Sequence, residues 1–299
     1  MIASGTTIPD RFVFDAIGTR WAIEAPRSIA PPLRQSILAR AEAFDATWSR
    51  FREDSLVSEI ARAERGGRFL FPEEASRLFD LYDGLHAATA GAVDPLVGRD
   101  LEMLGYDRHY SLVPVPMTER AAYRRPRWTH DVSRQGCVLT CHGPLVIDVG
   151  AAGKGLLIDL IGDLLRGAGL SDHLIDASGD LLQAGDSALA VGLEDPRQPG
   201  HVIGLANLEG RALCASATNR RRWGEGVHHI LDARTGVPAQ HVMATWVVAD
   251  NAMTADGLAT ALFFVEPSRL AATGPFEFVR LFSDGRAEWS AGFEGEVFI

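Results

Sequence analysis

Lysine is almost absent from this chain of 299 residues. Of its 29 basic residues, Lys154 is the only lysine and the other 28 are arginine. Acidic residues outnumber basic ones by 39 to 29, so the formal net charge is −10. A chain of this charge offers no broad basic surface, which argues against nucleic acid or an anionic membrane as a partner. The short basic stretch RRRW at 220–223 is more typical of a loop or a ligand contact.

Cysteine is also scarce. The three cysteines are Cys137, Cys141 and Cys214, and their spacing matches no zinc motif. Cys137 and Cys141 lie four residues apart in a segment with the pattern of a strand. There they would be separated by about 13 Å, which is beyond the reach of a disulfide. We therefore expect three free thiols, as in a reducing compartment.

Long apolar runs are missing as well. No segment approaches the roughly 18 consecutive apolar residues that a membrane-spanning helix needs. The N-terminal segment has neither the charged region nor the apolar stretch of about 7–15 residues that mark an export signal. We therefore expect no membrane span and a cytoplasmic location. The composition, 46% hydrophobic and 23% charged, is that of an ordinary globular protein with a large core.

The hydrophobic pattern predicts a mixture of helices and strands. Helices are expected at 32–44, from a cap at Asp54 or Ser55 to Gly66, from Pro72 to Gly91, from about Lys154 to Arg166, and at 251–265. Strands are expected at 11–24, 136–141, 144–150, 172–176, 188–194, 201–207, 212–216, 228–236 and 244–250, with a hairpin at 276–290 that turns at Asp284-Gly285. Residues 105–135 are expected to be irregular. Because strands outnumber strand–helix–strand units, we predict an α+β fold over residues 1–299, as one domain or two closely associated halves.

Lys154 stands in the segment PLVIDVGAAGKGLLID, where a predicted strand ends at Asp148 and small residues turn into a helix. Backbone N–H groups at the start of a helix can bind an anion. A lysine in the first helical turn is unfavourable beside the helix dipole unless an anionic ligand lies there. The alternative is an ordinary turn with a surface lysine. The segment matches neither the Walker motif nor GxGxxG.

Two further segments carry candidate chemistry. Asp256 and Thr260 are four residues apart on one predicted helix, so they share a face, and a carboxylate with a hydroxyl suits Mg²⁺ better than zinc. His228 and His229 alternate on a predicted strand, so at most one of them faces a given pocket. His229 is a candidate general base or ligand contact. The alternatives are ordinary polar positions on a helix and a structural histidine.

Eight segments occur together and in order that resemble those of the ApbE family, the FAD:protein FMN transferases. They are FDAIGT, WSRFREDS, GAVDPLVG, IDVGAAGKG, ASGD, CASATNRRRW, HHILDARTG and ADGLAT, and they lie between about residues 14 and 265. Each segment alone is weak, but eight in the family order are specific. The resemblance implies a T-fold-like α+β architecture, with mixed or antiparallel sheets packed against helices.

The resemblance also implies a site. Asp256 and Thr260 match side-chain ligands of a Mg²⁺ ion, and Ala151 matches a residue whose backbone carbonyl binds the same ion. The positions that match FAD contacts are Ile17, Phe51, Ala92, Val93, Asp94, Asp148, Lys154 and Ile230. His229 lies near the reacting end of the flavin, and the resemblance implies that His229 and Asp256 take part in catalysis.

The implied reaction is transfer of FMN from FAD to a serine or threonine hydroxyl of an acceptor flavin-carrier protein, with release of AMP. Mg²⁺ and Lys154 would neutralise the pyrophosphate, and His229 or a nearby acid would take the hydroxyl proton. The same residues fit two alternatives, an Mg²⁺-dependent FAD pyrophosphatase and a flavin-binding protein without turnover. The presence of Asp256, Thr260 and Lys154 argues against the protein without turnover.

The chain departs from the family pattern at several positions. Ala217 replaces the glycine of a TSG motif, Ala233 replaces a proline, and Ala61 stands where relatives often have asparagine. None of these differences removes a metal ligand or a phosphate contact. Ala61 and Ala217 do fall where the flavin pocket is expected. Many relatives are exported, whereas this sequence shows neither an export signal nor a lipidation site.

Overall fold

The computed structural model describes residues 10–224 and 226–298. The predicted absence of an export signal rests partly on residues 1–9, which lie outside this range. Within the described part of the chain, no helix is long and apolar enough to cross a bilayer.

The first half of the chain is mainly helical. Its elements are β1 (Asp10–Ala16), β2 (Thr19–Ala25), α1 (Pro31–Trp48), α2 (Leu56–Arg62), β3 (Gly67–Leu70), α3 (Ala75–Ala88), a 3-10 turn (Pro95–Val97), α4 (Gly98–Met103), α5 (Met117–Ala122), α6 (Trp128–Asp131), β4 (Val132–Gln135), β5 (Val138–Cys141) and α7 (Gly153–Gly167). The predicted cap of α2 is present, because the Ser55 hydroxyl accepts a hydrogen bond from the Ser58 N–H at 3.2 Å.

The second half is mainly strands. Its elements are β6 (His173–Asp176), β7 (Leu181–Ala184), β8 (Leu189–Glu194), β9 (Val202–Leu208), β10 (Ala212–Ala217), β11 (Leu231–Asp232), β12 (Val237–Pro238), β13 (Val242–Ala249), α8 (Ala252–Ala261), a 3-10 segment (Pro267–Thr273), β14 (Glu277–Phe282), β15 (Ala287–Trp289) and β16 (Gly295–Val297). The hairpin predicted at Asp284-Gly285 joins β14 to β15.

One large antiparallel sheet organises the molecule, in the order β1-β2-β6-β7-β10-β13-β14-β15. Two three-stranded antiparallel sheets, β16-β9-β8 and β3-β5-β4, and the short pair β11-β12 accompany it. The predicted α+β class is therefore confirmed.

Strand β13 shows why the sheet is buried on both faces. Val247 joins a large apolar cluster with α1, α3, α7 and α8, whereas its neighbours Trp246 and Val248 join a second cluster with β8, β9 and β14. Successive side chains of a strand point to opposite faces, so a strand covered on both sides is apolar at nearly every position. The helices thus lie on one face of the large sheet, and the sheet that contains β8 and β9 lies on the other.

Three strand predictions were wrong in detail. Residues 11–24 form two strands instead of one, with a tight turn at Ile17-Gly18 where both residues have positive φ. Residues 144–150 form no strand in the described structure, because Asp148 donates its N–H to the Pro95 carbonyl in a loop. In 228–236 only Leu231–Asp232 forms a strand, and His228 makes only an isolated bridge with Arg222, so the alternation expected for the two histidines does not apply.

Other predictions need smaller corrections. Helix α8 ends at Ala261, several residues before the expected end. Strands β3, β7, β12 and β16 were not predicted, and the irregular region 105–135 contains two short helices and β4. The three cysteines are free, as expected.

Candidate active site

The site lies where the large sheet divides. Strands β7 and β10 pair over only two residues each, and the rest of β10 continues beside β13 alone. The carboxylate of Asp180, just before β7, partly fills the opening by accepting a hydrogen bond from the Ala215 N–H at 3.0 Å. This division leaves room for a ligand inside the sheet layer.

Two adjoining cavities of about 600 and 610 Å³ occupy this region. Both are lined by Gly18, Thr19, Tyr106, Asp148, Gly150, Lys154 and Arg221. The predicted site residues in the first cavity are Ala92, Val93, Asp94, Asp148, Ala151, Lys154, His229, Ile230, Asp256 and Thr260. Ile17 and Phe51 line the second cavity. Every residue predicted for the site therefore lines one cavity or the other.

Lys154, in the first turn of α7, forms an ion pair with Asp180, with 2.7 Å between Nζ and Oδ2. Burial lowers the pKa of Lys154, but the carboxylates of Asp180 and Asp256 outweigh burial and raise it overall. The ammonium group is therefore charged at physiological pH. The anion that Lys154 contacts is Asp180, the last residue of the ASGD segment, which was not predicted as a site residue.

Asp256 lies on α8 and is 4% exposed. Its Oδ2 accepts a hydrogen bond from the Gly155 N–H at 3.0 Å. Burial, and then the nearby charge of Asp180, raises the pKa of Asp256 to about 8. Without a bound cation, Asp256 is therefore mostly protonated at neutral pH, and binding of a cation would lower its pKa and favour the carboxylate form.

The available donors suit a hard cation. No group of three or more histidine, cysteine, aspartate or glutamate residues that could hold a metal occurs in residues 10–224 and 226–298. The first cavity is lined by the Asp256 carboxylate, the Thr260 hydroxyl and the turn that contains Ala151. Carboxylate, hydroxyl and carbonyl oxygens are ligands that Mg²⁺ accepts, so these residues fit the predicted ion.

Helix α7 fixes the start of α8 and hence the position of Asp256. The Asp159 carboxylate accepts hydrogen bonds from the N–H groups of Ala252 and Met253 at 2.8 and 2.9 Å. Burial raises the pKa of Asp159 to about 6. The two helices can approach because Gly155 has no side chain: a Cβ there would lie 2.2 Å from the Ala252 carbonyl oxygen.

Asp148 is held from two sides. Its Oδ1 accepts a hydrogen bond from the Gly150 N–H at 2.7 Å, and its Oδ2 pairs with Arg50 Nε at 2.6 Å. Burial would raise the pKa of Asp148, but Arg50 and Gly150 keep it below its usual value. The Arg50 guanidinium also stacks 4.3 Å from the centre of the Phe51 ring. Asp148 therefore shapes the turn before α7 and remains ionised.

His229 is uncharged in this site. Burial, followed by the charge of Arg221, lowers the pKa of His229 to about 3. Its Nδ1 is buried and has no hydrogen-bond partner in the described part of the chain. His228 has a structural role, with its Nε2 2.8 Å from the Ala239 carbonyl oxygen.

Asp94 supports the cavity wall. Its two carboxylate oxygens accept hydrogen bonds from the N–H groups of Leu96 at 2.8 Å and Trp128 at 3.0 Å. These bonds hold the loop Ala92–Asp94 against α6. A ligand would therefore meet the loop that Asp94 shapes, with both of the carboxylate oxygens already in use.

A protein-family model described as the ApbE family matches residues 17–274. The chain belongs to the ApbE family. An ApbE protein from Thermotoga maritima has a solved structure that superimposes with a TM-score of 0.83 at 25% identity, covering 96% of this chain and all of that one.

Two curated relatives are both named FAD:protein FMN transferase. The protein from Rhodobacter capsulatus is 29% identical over 228 residues, which are 72% of this chain and 43% of the relative. The protein from Haemophilus influenzae is 27% identical over 252 residues, which are 77% of this chain and 71% of the relative. The chain thus spans less than half the length of the first relative.

The ApbE fold brings four further residues to the site that the sequence reasoning did not assign. Arg50, Asp180 and Arg221 lie inside segments that resemble those of the family, so their place in these segments could have identified them as site residues. Tyr82 on α3 had no such signal: it is 1% exposed, lines the first cavity, and its hydroxyl has no partner in the described structure. Burial raises the pKa of Tyr82, so it is a neutral phenol.

Proposed function

We propose that this chain is an FAD:protein FMN transferase. It moves FMN from FAD to a serine or threonine hydroxyl of an acceptor flavin-carrier protein, releases AMP and uses Mg²⁺ as its cofactor. One observation carries the proposal: Lys154, which lines both cavities, forms a buried ionisable cluster with Asp180 and with Asp256 of the first cavity. Such a cluster suits a cation and a pyrophosphate, with the two halves of a dinucleotide extending into the two cavities.

The walls of the second cavity suit the adenosine half. They include the rings of Phe51, Tyr106, Tyr110 and Trp223. Phe51 and Tyr110 are stacked with 5.2 Å between ring centres, and aromatic faces of this kind bind nucleobases by stacking. The riboflavin half then enters the first cavity, where His229 lies.

The chemistry needs a stabilised pyrophosphate and an acceptor hydroxyl. A Mg²⁺ ion held by Asp256, Thr260 and the Ala151 carbonyl would supply positive charge beside the phosphate oxygens. Lys154 adds a fixed positive charge from the start of α7. The acceptor oxygen forms a bond to the phosphorus on the riboflavin side, and the bond from that phosphorus to the bridging oxygen breaks.

Each group in this step has a defined destination. AMP leaves with the bridging oxygen, and the acceptor keeps FMN as a phosphodiester, which constitutes protein flavinylation. The hydroxyl proton passes to His229 or to a nearby acid. His229 is neutral at physiological pH because its pKa is lowered to about 3, so its ring has a free lone pair.

Two further expectations accompany this function. We propose that residues 1–299 act as one domain, because the site draws on residues from the turn after β1 to α8. A cytoplasmic location remains a prediction, which fractionation of the source cells would test.

The experiment mixes the protein with FAD, Mg²⁺ and candidate flavin-carrier proteins from the same genome, followed by mass spectrometry of each carrier. FMN on a serine or threonine supports the transferase. Free FMN and AMP without a labelled carrier indicate a pyrophosphatase instead. FAD that is bound but unchanged indicates a flavin-binding protein without turnover.

A further inference from the structure

Three consecutive arginines follow β10 in the loop 218–223. The loop ends at Trp223, which is 7% exposed and donates its Nε1–H to the Leu104 carbonyl at 2.8 Å. The Trp223 ring also stacks on Tyr106 with 5.3 Å between ring centres. Arg222 forms a β-bridge with His228. The loop is therefore attached to the site at a defined position.

The three arginines have different surroundings. Arg220 forms an ion pair with Glu194 on β8, and both side chains are substantially exposed. Arg222 lines the second cavity only. Arg221 lines both cavities, so it lies at their junction together with Lys154 and Asp148.

Arg221 is the available positive charge at this junction. Of the basic side chains that line both cavities, Lys154 pairs with Asp180, and Arg221 pairs with no carboxylate in residues 10–224 and 226–298. The acid at the junction, Asp148, is already paired with Arg50. The charge of Arg221 reaches His229, where it is the second cause, after burial, of the lowered pKa.

We propose that Arg221 binds the pyrophosphate of the substrate from the loop side of the junction, as a phosphate-contacting residue in addition to Lys154. The proposal rests on the proposed function, because it takes a dinucleotide pyrophosphate such as FAD as the ligand. A pyrophosphate diester carries two negative charges, and part of the Lys154 charge is already balanced by Asp180. A guanidinium group donates two parallel hydrogen bonds to phosphate oxygens, which an ammonium group cannot do.

If Arg221 binds the pyrophosphate, it should affect only ligands that carry this charged group. FAD carries the pyrophosphate and riboflavin does not, although both carry the same flavin ring. Loss of Arg221 should therefore weaken FAD binding and leave riboflavin binding unchanged. Loss of Arg124, an exposed arginine that lines neither cavity, should affect FAD binding little.

The test measures binding of FAD and of riboflavin by calorimetry, with Mg²⁺ and without acceptor, for wild type, Arg221→Ala, Arg221→Lys and Arg124→Ala. We expect Arg221→Ala to weaken FAD binding by about tenfold or more, Arg221→Lys to restore part of it, and Arg124→Ala to change it by less than about threefold. Riboflavin affinity should be the same in all four proteins. Circular dichroism spectra confirm that each variant is folded.

Equal weakening of FAD and riboflavin in Arg221→Ala would overturn the proposal, because it would indicate a change in loop shape. Equal effects of Arg221→Ala and Arg124→Ala on FAD would also overturn it, because they would indicate a general effect of surface charge. Arg221-dependent FAD binding without acceptor labelling would contradict the proposed function and leave this proposal intact. Acceptor labelling by a protein whose FAD binding does not depend on Arg221 would overturn this proposal and support the proposed function. Failure of the wild-type protein to bind FAD would contradict both the proposed function and this proposal.

Discussion

Two substitutions at Lys154 separate its contribution to stability from its contribution to the reaction. Lys154→Met removes the positive charge and leaves Asp180 and Asp256, which are 1% and 4% exposed, without a cation between them. Loss of one partner from a buried ion pair costs about 3–5 kcal/mol. Because the Lys154 side chain is 23% exposed, we expect a somewhat smaller cost, about 2–4 kcal/mol.

Lys154→Arg keeps the charge and changes its shape. The Asp180 ion pair can still form, so the free energy of unfolding should stay within about 1 kcal/mol of wild type. The wider planar guanidinium replaces a compact charge in a turn lined by Gly150, Gly153 and Gly155. We therefore expect FMN transfer to fall by about tenfold or more, a barrier change of about 1.4 kcal/mol.

The assay is thermal unfolding in EDTA and in Mg²⁺, together with the rate of FMN transfer. At about 2 °C per kcal/mol for a chain of this size, Lys154→Met should lower Tm by about 4–8 °C in EDTA. An unchanged Tm would refute the buried ion pair. Full transfer activity in Lys154→Arg would refute the argument that the single lysine of the chain is retained for its shape.

Two predictions concern the support of the site. Gly155→Ala places a Cβ 2.2 Å from the Ala252 carbonyl oxygen, so unfolding experiments should show a loss of about 2 kcal/mol or more. Gly167→Ala on the same helix meets nothing within 4 Å and should change stability by less than about 1 kcal/mol; equal effects would contradict the close helix contact. The pKa of His229 is lowered to about 3. Between about pH 6.5 and 3, the unfolded state therefore binds a proton at this histidine that the native state does not bind. The free energy of unfolding falls as pH falls through this range, by at most about 1.4 kcal/mol per pH unit. Urea titrations at pH 7.5 and 5 should show a smaller pH effect in His229→Gln, and an equal effect would show that His229 is not held neutral.

The sequence predicted those elements whose signals are local. The Ser55 cap and the turn at Asp284-Gly285 are such signals, and both are present. The segment 144–150 has the composition of a buried strand. Its Asp148 N–H bonds to the Pro95 carbonyl in a loop instead of to a neighbouring strand, and composition does not reveal such a partner. Strand β7 was missed because its four residues pair mainly with β6 and only briefly with β10.

The predicted site residues lie together, but the sequence did not reveal what they contact. Lys154 was expected to face an anion, and pairing with Asp180 depends on where the sheet divides between β7 and β10. Tyr82 occupies an ordinary apolar position of α3, and its place in the cavity follows from helix packing alone. Contacts between elements distant in sequence are set by the fold, and a single sequence carries no local pattern for them.

The origin of the oxygen in the products tests the transferase most directly. The reaction is run in water enriched in oxygen-18 with FAD, Mg²⁺ and the acceptor, for wild type and for Asp256→Ala. The masses of AMP and of the flavinylated acceptor are then measured by mass spectrometry. We expect wild type to attach FMN to the acceptor with no oxygen-18 in either product, and Asp256→Ala to give no product. Oxygen-18 in FMN or in AMP, or full activity of Asp256→Ala, would rule out the proposed transfer at this site.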